Sequence, residues 1–262
     1  MKKISVAIPT YYSSKLIEET IYPLLSHKIV DEIIVTDDSE DNNEFNKLSS
    51  NINNLLESSS IKVKIFKNKK KLGGFKNKYN AISKTSNEFV YQLDSDNIPS
   101  NKSLKHIGMS HEDTFDKDVL YLPSKIFLFK KSRYETIFKP KNRIIFSKKT
   151  KRITPEYLQN SFNQNINFVK DKDVTWLLNV GNPFFYKESY LANLEKGLKK
   201  SEAVLSACSI AMCYFWTLSG NDINISSFLE HHHRLRKDSY WVTAGKNAVN
   251  SVEYFSDQIK NI

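Results

Sequence analysis

The fold of this chain is decided by nine residues, FVYQLDSDN at positions 89–97. The run begins with apolar and β-favouring residues, which predict a buried strand. It ends in two carboxylates, Asp94 and Asp96, with Ser95 between them. Acidic residues directly after a buried strand lie at its carboxyl end, and that edge of an open parallel sheet is where ligands bind. The stretch therefore predicts a polar site at one edge of a sheet.

Two earlier segments repeat this arrangement. Residues 4–8 (ISVAI) and 32–36 (EIIVT) are apolar runs, and the polar turns 9–12 and 37–41 follow them. Helical patterns separate the runs, and one of them begins after the glycine pair at 73–74. Strands that alternate with helices predict an α/β fold with a mostly parallel central sheet flanked by helices. Since parallel strands share a carboxyl edge, the three polar turns are expected to converge.

The second half of the chain has a less regular pattern. It predicts strand material over residues 119–129, a basic loop over 134–154 and a mostly apolar helix over 201–218. A short strand near 223–228 precedes a histidine-rich segment, and a last helix is expected over 246–259.

The two carboxylates at Asp94 and Asp96 are suited to a hard divalent cation. Mg²⁺ and Mn²⁺ prefer oxygen ligands, and such a cation can bridge diphosphate oxygens and neutralise charge on a departing nucleotide. In isolation this spacing is also typical of an ordinary turn, because Asp and Asn serve turns readily.

The order of these segments resembles family 2 of the glycosyltransferases. The stretches that carry the resemblance are VAIPTY at residues 6–11, TDDSED at 36–41, LGGFKNKYNAI at 72–82 and QLDSDN at 92–97. The likeness is tight from residue 4 to about residue 100 and looser beyond. It implies a GT-A (Rossmann-like) fold and an enzyme that moves a hexosyl or related sugar from a UDP- or GDP-sugar, with Mn²⁺ or Mg²⁺ as cofactor.

The resemblance further implies one GT-A domain over residues 1–262. Residues 1 to about 100 would form the half that binds the nucleotide sugar, and residues from about 101 to 262 the acceptor-side half. The acceptor would be a glycan or a lipid-linked molecule. The product would belong to a bacterial glycan or surface polysaccharide.

Roles for residues of the first two turns follow from the same resemblance. The backbone around Pro9, Thr10 and Tyr11 would line the nucleoside pocket. Asp38 would accept a hydrogen bond from the base, as a carboxylate can from an imide N–H. The structural alternative for Asp38 is an N-cap of the next helix.

The glycine loop and the acidic turn would meet the rest of the donor. Gly73 would let the backbone approach it, and Lys78, where the family often has Arg, would reach a phosphate or the base edge as a point charge. A plain surface lysine is the alternative. Asp94 would contact the ribose, or the metal through water. Ser95 would also bind the nucleotide sugar, and Asp96 would bind the metal directly.

A histidine-rich segment, HHHRLRKDSYW at residues 231–241, resembles the part of related transferases that lies near the metal and diphosphate. The resemblance implies His233 as a metal ligand and Arg234 or Arg236 near the phosphates, on a lid-like segment. Ordinary packing and surface charge are the alternative. Residues 181–185 (GNPFF) resemble a segment that shapes the sugar pocket in some members.

One feature of inverting members is missing, namely the acidic residue that deprotonates the acceptor hydroxyl. The corresponding residues 205–211 read LSACSIA, with Cys208 or Ser209 at the expected place. A neutral thiol or hydroxyl is a poor base. Glu202 is the predicted catalytic base; alternatively the enzyme is retaining or needs no protein base, or the chain binds a donor without transfer. Further carboxylates that the sequence does not separate are Asp222, Glu230 and Asp238.

Composition restricts the remaining classes. With 39 Lys and Arg against 29 Asp and Glu, the 262 residues carry a net charge of +10, which suits anionic partners. A basic nucleic-acid-binding protein is a rival interpretation, but no zinc-finger or RNA-recognition motif is readable, so no nucleic acid is expected. GxxxxGK[ST] and GxGxxG are both absent. Without a visible signal peptide, we expect a cytoplasmic protein with possible peripheral contact at the inner face of the membrane.

Overall fold

The computed structural model describes residues 3–56, 60–110, 114–129, 143–164, 176–179, 181–234 and 245–262. The strands are β1 (Ile4–Thr10), β2 (Val30–Asp37), β3 (Lys62–Lys67), β4 (Phe89–Gln92), β5 (Val119–Phe129), β6 (Arg143–Ile145), β7 (Lys151–Ile153), β8 (Phe184–Tyr186) and β9 (Asp222–Arg234). The α-helices are α1 (Ile17–Ile21), α2 (Asn42–Leu56), α3 (Gly74–Ser83), α4 (Asn101–Met109), α5 (Pro155–Asn163), α6 (Lys187–Leu194), α7 (Cys208–Leu218) and α8 (Lys246–Ile259). Short 3₁₀ helices span Tyr22–Ser26, Trp176–Asn179 and Glu195–Lys199.

The described strands form one nine-stranded sheet in the order β3-β2-β1-β4-β8-β5-β9-β7, and β6 pairs with β5. β1 is parallel to β2 and to β4, and β2 is parallel to β3. On the other side, β5 is parallel to β9. β8 runs antiparallel to both β4 and β5 and joins the two parallel groups. The predicted α/β fold with a mostly parallel sheet flanked by helices is confirmed.

Helices cover both faces of the sheet. Successive side chains of β1 point to opposite faces and are apolar on both, so both faces must be covered. Val6 and Ile8 belong to the apolar cluster that includes side chains of α1, α2 and α4. Ala7, between them, belongs to the cluster that includes side chains of α3, α5, α6, α7 and α8. A strand buried on both faces reads as a continuous apolar run, as a central parallel strand does. Among the described helices, none combines the length and apolar character needed to cross a bilayer.

Four predictions from the sequence differ from the structure. The basic loop expected over residues 134–154 contains the strands β6 and β7 in its described part. Pro9 does not end β1, because pairing with β2 continues from Pro9–Thr36 to Thr10–Asp37 after the pairing with β4 has stopped at Ala7. The helix expected from residue 201 begins at Cys208. The reason is that the Ala207 N–H binds Ser251 Oγ of α8, at 3.0 Å, in place of a helical carbonyl.

The largest difference is in β9, which continues to Arg234 instead of ending near residue 228. Its second part pairs with β5, in the register Lys125–Glu230 to Phe129–Arg234. The three histidines therefore lie in a strand, and the prediction that they belong to a lid-like segment is wrong. Local periodicity misses this extension because a strand partner about a hundred residues earlier supplies it. The last helix, α8, has the predicted bounds.

Candidate active site

The carboxyl ends of β1, β2 and β4 meet at one edge of the sheet, as the three polar turns predict. The Asp38 N–H donates to the Thr10 carbonyl at 3.0 Å, and the Thr10 hydroxyl donates to Asp37 Oδ1 at 2.7 Å. On the other side of β1, the Leu93 N–H donates to the Ala7 carbonyl at 2.9 Å, just before the acidic turn. The main chain therefore brings the three turns into one site.

Asp38 holds the glycine loop by its carboxylate. Its Oδ1 accepts from Asn68 Nδ2 at 2.9 Å and from the Leu72 N–H at 2.8 Å, while its Oδ2 accepts from the Gly73 N–H at 2.8 Å. Burial raises the pKa of Asp38 above its ordinary value even though these three hydrogen bonds act in the opposite direction. The cap at the start of α2 is supplied by Asp41, whose Oδ1 accepts from the Asn43 N–H. The N-cap alternative for Asp38 is therefore wrong.

Asn77 completes this part of the site, and sequence reasoning missed it. Its Oδ1 accepts from Thr36 Oγ1 at 2.8 Å and from Asn68 Nδ2 at 2.9 Å, and its Nδ2 donates to the carbonyls of Thr10 at 3.1 Å and Thr36 at 3.2 Å. The side chain is 3 % exposed, so this amide joins α3 to β1 and β2 inside the protein. The sequence feature that could have identified Asn77 is an amide on the inward face of a helix that starts at a glycine loop.

Exposed aromatic side chains stand at the end of β1. Tyr11 and Tyr12 meet edge to face, with ring centroids 4.8 Å apart, and Tyr12 has a φ of 48°. The Tyr12 N–H donates to Ser39 Oγ at 2.8 Å, which fixes this unusual backbone against the second turn. Lys71 lies 4.8 Å from the centroid of the Tyr11 ring. Tyr11 is 38 % exposed, so its ring is available to a planar ligand.

Asp94 and Lys78 form an ion pair in the centre of the site. Lys78 Nζ lies 2.8 Å from Asp94 Oδ1, with side-chain exposures of 14 % and 28 %. Burial opposes the charged form of both groups, but the opposite charge prevails, so the pKa of Asp94 is lowered and that of Lys78 raised. Gln92 Nε2 also donates to Asp94 Oδ1 at 2.8 Å. Lys78 is therefore a constituent of the site, and the plain surface alternative is wrong.

The turn Asp94–Asn97 is braced from three sides. The Asn97 N–H donates to the Asp94 carbonyl at 2.9 Å and closes the turn. Thr20 Oγ1 of α1 donates to the carbonyls of Ser95 and Asn97, each at 2.9 Å. The Ser95 hydroxyl lies 2.8 Å from Ser13 Oγ and is 7 % exposed, so Ser95 supports the turn from inside.

The histidines of β9 face this turn from the opposite side. His231 and His233 lie on the same face of the strand, with ring centroids 5.2 Å apart, and both lower the pKa of Asp94. The Ile98 N–H donates to the His232 carbonyl at 3.1 Å, which joins the acidic turn to β9. Burial, assisted by the neighbouring His233, lowers the pKa of His231 to about 3.

Of the two arginines predicted near the phosphates, Arg234 and Arg236, the structure describes only Arg234. Arg234 Nη2 donates to Glu19 Oε2 of α1 at 2.6 Å, and the arginine is buried. Arg234 thus joins β9 to α1 next to the acidic turn. Arg236 lies outside the described residues.

Comparison with known proteins decides the family. The sequence model described as Glycosyl transferase family 2 matches residues 5–172, which include all three turns and the glycine loop. The chain belongs to glycosyl transferase family 2. It is therefore a glycosyltransferase, and the resemblance of its motifs to this family is confirmed. No curated protein sequence matches the chain.

Solved structures of glycosyltransferases share this fold. Residues 1–349 of TarS from S. aureus, in complex with UDP-GlcNAc, match with a TM-score of 0.58 and 17% identity, over 98% of this chain and 70% of that one. The mannosyltransferase PcManGT from Pyrobaculum calidifontis, in complex with GDP-Man and Mn2+, matches with a TM-score of 0.53 and 12% identity, over 99% and 72%. At these identities the likeness shows the GT-A fold alone.

The acidic turn offers two carboxylates, Asp94 and Asp96, of the kind that bind a divalent cation. Within the described part of the chain, no group of three or more His, Cys, Asp and Glu side chains is arranged to hold a metal by itself. Mg²⁺ and similar ions in nucleotide sites, however, are typically bound by one or two carboxylates together with substrate phosphates and water. The carboxylate of Asp96 is of the chemical type that Mn²⁺ and Mg²⁺ prefer, and the imidazole of His233 is a common metal ligand in general.

Cys208 and Ser209, where the sequence resemblance leads one to expect the acid, lie at the start of α7. The first turn of this helix contains no acidic residue, and the half-buried Cys208 is its first residue. Cys208 lies close enough to Lys78 to be one of the groups that raise the pKa of the lysine. The thiol therefore stands beside the ion pair of the site, where the family pattern has a carboxylate.

Glu202, the predicted base, packs against the glycine loop. Gly73 has a φ of +81°, and a Cβ added there would lie 2.7 Å from Glu202 Cδ. The Glu202 charge is also one of the weaker influences that raise the pKa of Lys71, after the hydrogen bond with Tyr11. Because Gly73 has no side chain, the Glu202 side chain can approach its backbone closely. This contact lies at the nucleoside end of the site.

Proposed function

We propose that this protein transfers a sugar from a UDP- or GDP-sugar to a hydroxyl group of a glycan or lipid-linked acceptor, with Mn²⁺ or Mg²⁺ as cofactor. The observation that carries the proposal is the convergence of three structures at one sheet edge. These are the loop held by Asp38, the ion pair of Asp94 and Lys78, and the turn that faces His233. The first suits a nucleoside, and the other two suit a metal-bound diphosphate.

Different residues would bind different parts of the donor. We assign the nucleoside to Pro9, Thr10 and Tyr11, with the exposed Tyr11 ring against the base and the Asp38 loop at its edge. The ribose and diphosphate would lie along Asp94 and Lys78. We assign residues 1 to about 100 to the nucleotide-sugar-binding half and residues from about 101 to 262 to the acceptor-side half of a single domain, with His233 and Arg234 of the second half beside the donor diphosphate.

Charge at the leaving diphosphate is the main electrostatic problem of the reaction. Lys78 would direct its ammonium towards it, and Arg234 would hold β9 near it. Asp96 and His233 would hold the cation, which when bound supplies positive charge to the diphosphate oxygens. Fixed charges of this kind stabilise a developing anion without reorganisation during the reaction.

Glu202 is our candidate for the base that deprotonates the acceptor hydroxyl, since α7 provides no carboxylate in its first turn. Because the Glu202 side chain packs against Gly73 in this structure, the role requires that it turns towards the acceptor. Replacing Glu202 by Gln should lower turnover by roughly 10²–10⁴-fold and leave donor affinity unchanged. Steady-state kinetics with a donor and acceptor pair would measure this. Normal turnover in Glu202→Gln would remove Glu202 as the base.

The absence of an acid at the start of α7 favours one second candidate, a GT-A domain that binds a nucleotide without transfer. Turnover with any donor separates the two. For the enzyme, we place the reaction in bacterial glycan or surface polysaccharide synthesis. The protein would work in the cytoplasm, at the inner face of the membrane when the acceptor is lipid-linked.

Thermal stabilisation by nucleoside diphosphates and nucleotide sugars, with and without Mn²⁺, tests the proposal. A ligand that binds only the folded protein raises the melting temperature. We expect stabilisation by one nucleotide class, enhanced by Mn²⁺. If no nucleotide shifts the melting temperature under either condition, the proposed donor site is wrong.

A further inference from the structure

A buried polar cluster lies behind the acidic turn. Its members are Tyr91 Oη, Asn97 Oδ1, Asn182 Nδ2 and His231 Nδ1, and none of these atoms has a hydrogen-bond partner among the described residues. The four side chains are 0 %, 1 %, 0 % and 4 % exposed. Buried polar atoms in folded proteins are nearly always paired with protein or with ordered water. Four such atoms close to one turn therefore indicate a built polar network.

Asn182 is the centre of the cluster. Asn97 Nδ2 donates to Asn182 Oδ1 at 3.5 Å, a long hydrogen bond that joins it to the acidic turn. Asn182 also lies close enough to the Tyr91 hydroxyl to influence its pKa, although the two do not reach ordinary hydrogen-bond geometry. Burial raises the pKa of Tyr91, so the phenol stays neutral and can donate. His231 in turn lies close enough to the Gly181 backbone, next to Asn182 in the chain, for that backbone to influence its pKa.

The backbone holds Asn182 rigidly in this place. Its φ of 59° lies in the left-handed region, where Asn is among the few tolerated residues. On its C-terminal side, the Pro183 carbonyl accepts from the Gln92 N–H at 3.0 Å. On its N-terminal side, a Cβ at Gly181 would lie 1.7 Å from His231 Cε1, so only glycine fits against that ring. The segment 181–183 is thus fixed between β4 and β9.

We propose that Asn182 is a positioning residue for the acidic turn. It would hold Asn97 directly and, with ordered water, through Tyr91 and His231. Because the Asn97 N–H closes the turn on the Asp94 carbonyl, fixing Asn97 fixes the directions of the Asp94 and Asp96 carboxylates. The inference rests on the proposed metal-dependent function. It assigns Asn182 a different role from the sugar pocket that its segment resembles, since a fully buried amide does not touch a donor sugar.

Asn182→Gly tests the inference, because glycine keeps the positive φ and removes only the side chain. Mn²⁺ binding is measured by electron paramagnetic resonance in the presence of the nucleoside diphosphate that most stabilises the unmodified protein. Loss of a direct partner of a metal ligand typically weakens metal affinity about 10–100-fold. Because Asn182 acts on the turn through Asn97, we expect a Kd increase at the lower end of that range, about 10-fold. The affinity for the nucleotide without metal should not change.

Thr217→Ala is the matched control. Thr217 is also fully buried, and its hydroxyl donates to the Cys213 carbonyl within α7, at 2.9 Å. Its loss should lower the melting temperature while Mn²⁺ affinity stays at the original value. Equal weakening of Mn²⁺ binding in Thr217→Ala and Asn182→Gly would assign the effect to general destabilisation and overturn the inference.

The remaining outcomes are also decisive. If the unmodified protein binds nucleotide with no dependence on Mn²⁺, the metal-dependent function itself is wrong. If it binds Mn²⁺ and Asn182→Gly binds it equally well, only the positioning role is wrong. Should Asn182→Gly not fold, Tyr91→Phe replaces it, as this variant removes one hydroxyl of the same cluster. Tyr91→Phe should weaken Mn²⁺ binding several-fold, and unchanged affinity would overturn the inference.

Discussion

The two acidic turns of the site differ in what their polar atoms bind. Around Asp38, carboxylate and amide side chains hydrogen-bond to main-chain groups of the neighbouring elements, as in the contacts of Asp38 with the N–H groups of Leu72 and Gly73. Around Asp94, the main partner is another charged side chain, Lys78, and four buried polar atoms close by have no hydrogen-bond partner within the described part of the chain. Among the described residues, one buried side-chain atom of the first turn, Asp37 Oδ2, has no hydrogen-bond partner, against four such atoms near the second turn. The first turn is therefore closer to a finished structure, whereas the second is prepared for ligands.

Because of this difference, we expect carboxylates of the first turn to contribute mainly to the stability of the protein and those of the second turn mainly to ligand binding. A carboxylate that satisfies buried main-chain N–H groups contributes to the free energy of unfolding, because its removal leaves those donors unpaired. A carboxylate at the second turn contributes chiefly when a ligand arrives. Substitutions at the two turns should therefore affect different measurements.

Asp96→Ala carries the largest expected effect. Removing the proposed metal ligand should abolish the Mn²⁺-dependent part of nucleotide binding, while the melting temperature of the ligand-free protein changes little. Thermal shift with and without Mn²⁺ measures both quantities. Asp257→Ala, at an exposed carboxylate of α8, is the control and should behave like the unmodified protein. Retention of Mn²⁺-dependent stabilisation in Asp96→Ala would contradict the assignment of Asp96.

Asp38→Ala should show the opposite behaviour. The N–H groups of Leu72 and Gly73 and the amide of Asn68 lose their acceptor, and each unpaired group costs about 1–3 kcal/mol when water does not reach it. Since Leu72 and Asn68 are only partly buried, we expect a total loss of roughly 2–4 kcal/mol in the free energy of unfolding.

Urea denaturation of the ligand-free Asp38→Ala protein measures this loss. Asp38→Asn is the matched variant, because it keeps one acceptor oxygen and should lie between the two. If Asp38→Ala is as stable as the unmodified protein, the first turn is not the finished structure that its hydrogen bonds indicate.

The same contrast explains what could be predicted from the sequence. Strands β1, β2 and β4 and the turns after them are local patterns, in which apolar runs are followed by Asp or Pro, so the fold and the converging edge were predictable. The long second part of β9 was not, because its strand conformation depends on pairing with β5. Asn77 and Asn182 were missed for a related reason. A buried amide is recognised by its partners, and those partners come from other parts of the chain.

The contact of Glu202 with Gly73 gives a smaller and more specific test. Gly73→Ala should lower the free energy of unfolding by about 1–2 kcal/mol, because alanine is strained at a φ of +81°. Part of the loss should come from collision with the Glu202 side chain, which lies 2.7 Å from the new Cβ position.

A double-mutant cycle isolates the collision term. Glu202→Ala alone should be nearly neutral, and the double variant should be more stable than the sum of the single effects predicts, by roughly 0.5–1 kcal/mol. Urea denaturation of the four proteins measures the coupling. Additivity to within about 0.3–0.5 kcal/mol would show that Glu202 does not rest on Gly73.

The smallest expected effect lies at the opposite end of β2, away from the site. Glu32 is buried and accepts hydrogen bonds from Ser5 Oγ at 2.7 Å and from the Ser86 N–H. Burial alone would raise its pKa, but these hydrogen bonds and the nearby Lys64 prevail and lower it from 4.5. A carboxyl with a lowered pKa in the folded state stabilises the protein above its unfolded-state pKa and loses that contribution as the pH falls through the folded-state pKa.

Glu32→Gln should therefore lower the free energy of unfolding by about 1 kcal/mol near neutral pH, and the difference should shrink as the pH falls below 4.5. Urea denaturation across this pH range measures the trend. Nucleotide binding should be unaffected, because Glu32 lies at the amino end of β2 and the ligand-binding turn lies at its carboxyl end. A difference that grows as the pH falls would mean that Glu32 is not stabilised in its ionised form. Weaker nucleotide binding in Glu32→Gln would mean instead that the two ends of the sheet are coupled, and that the division between a stabilising and a ligand-binding carboxylate does not hold along this strand.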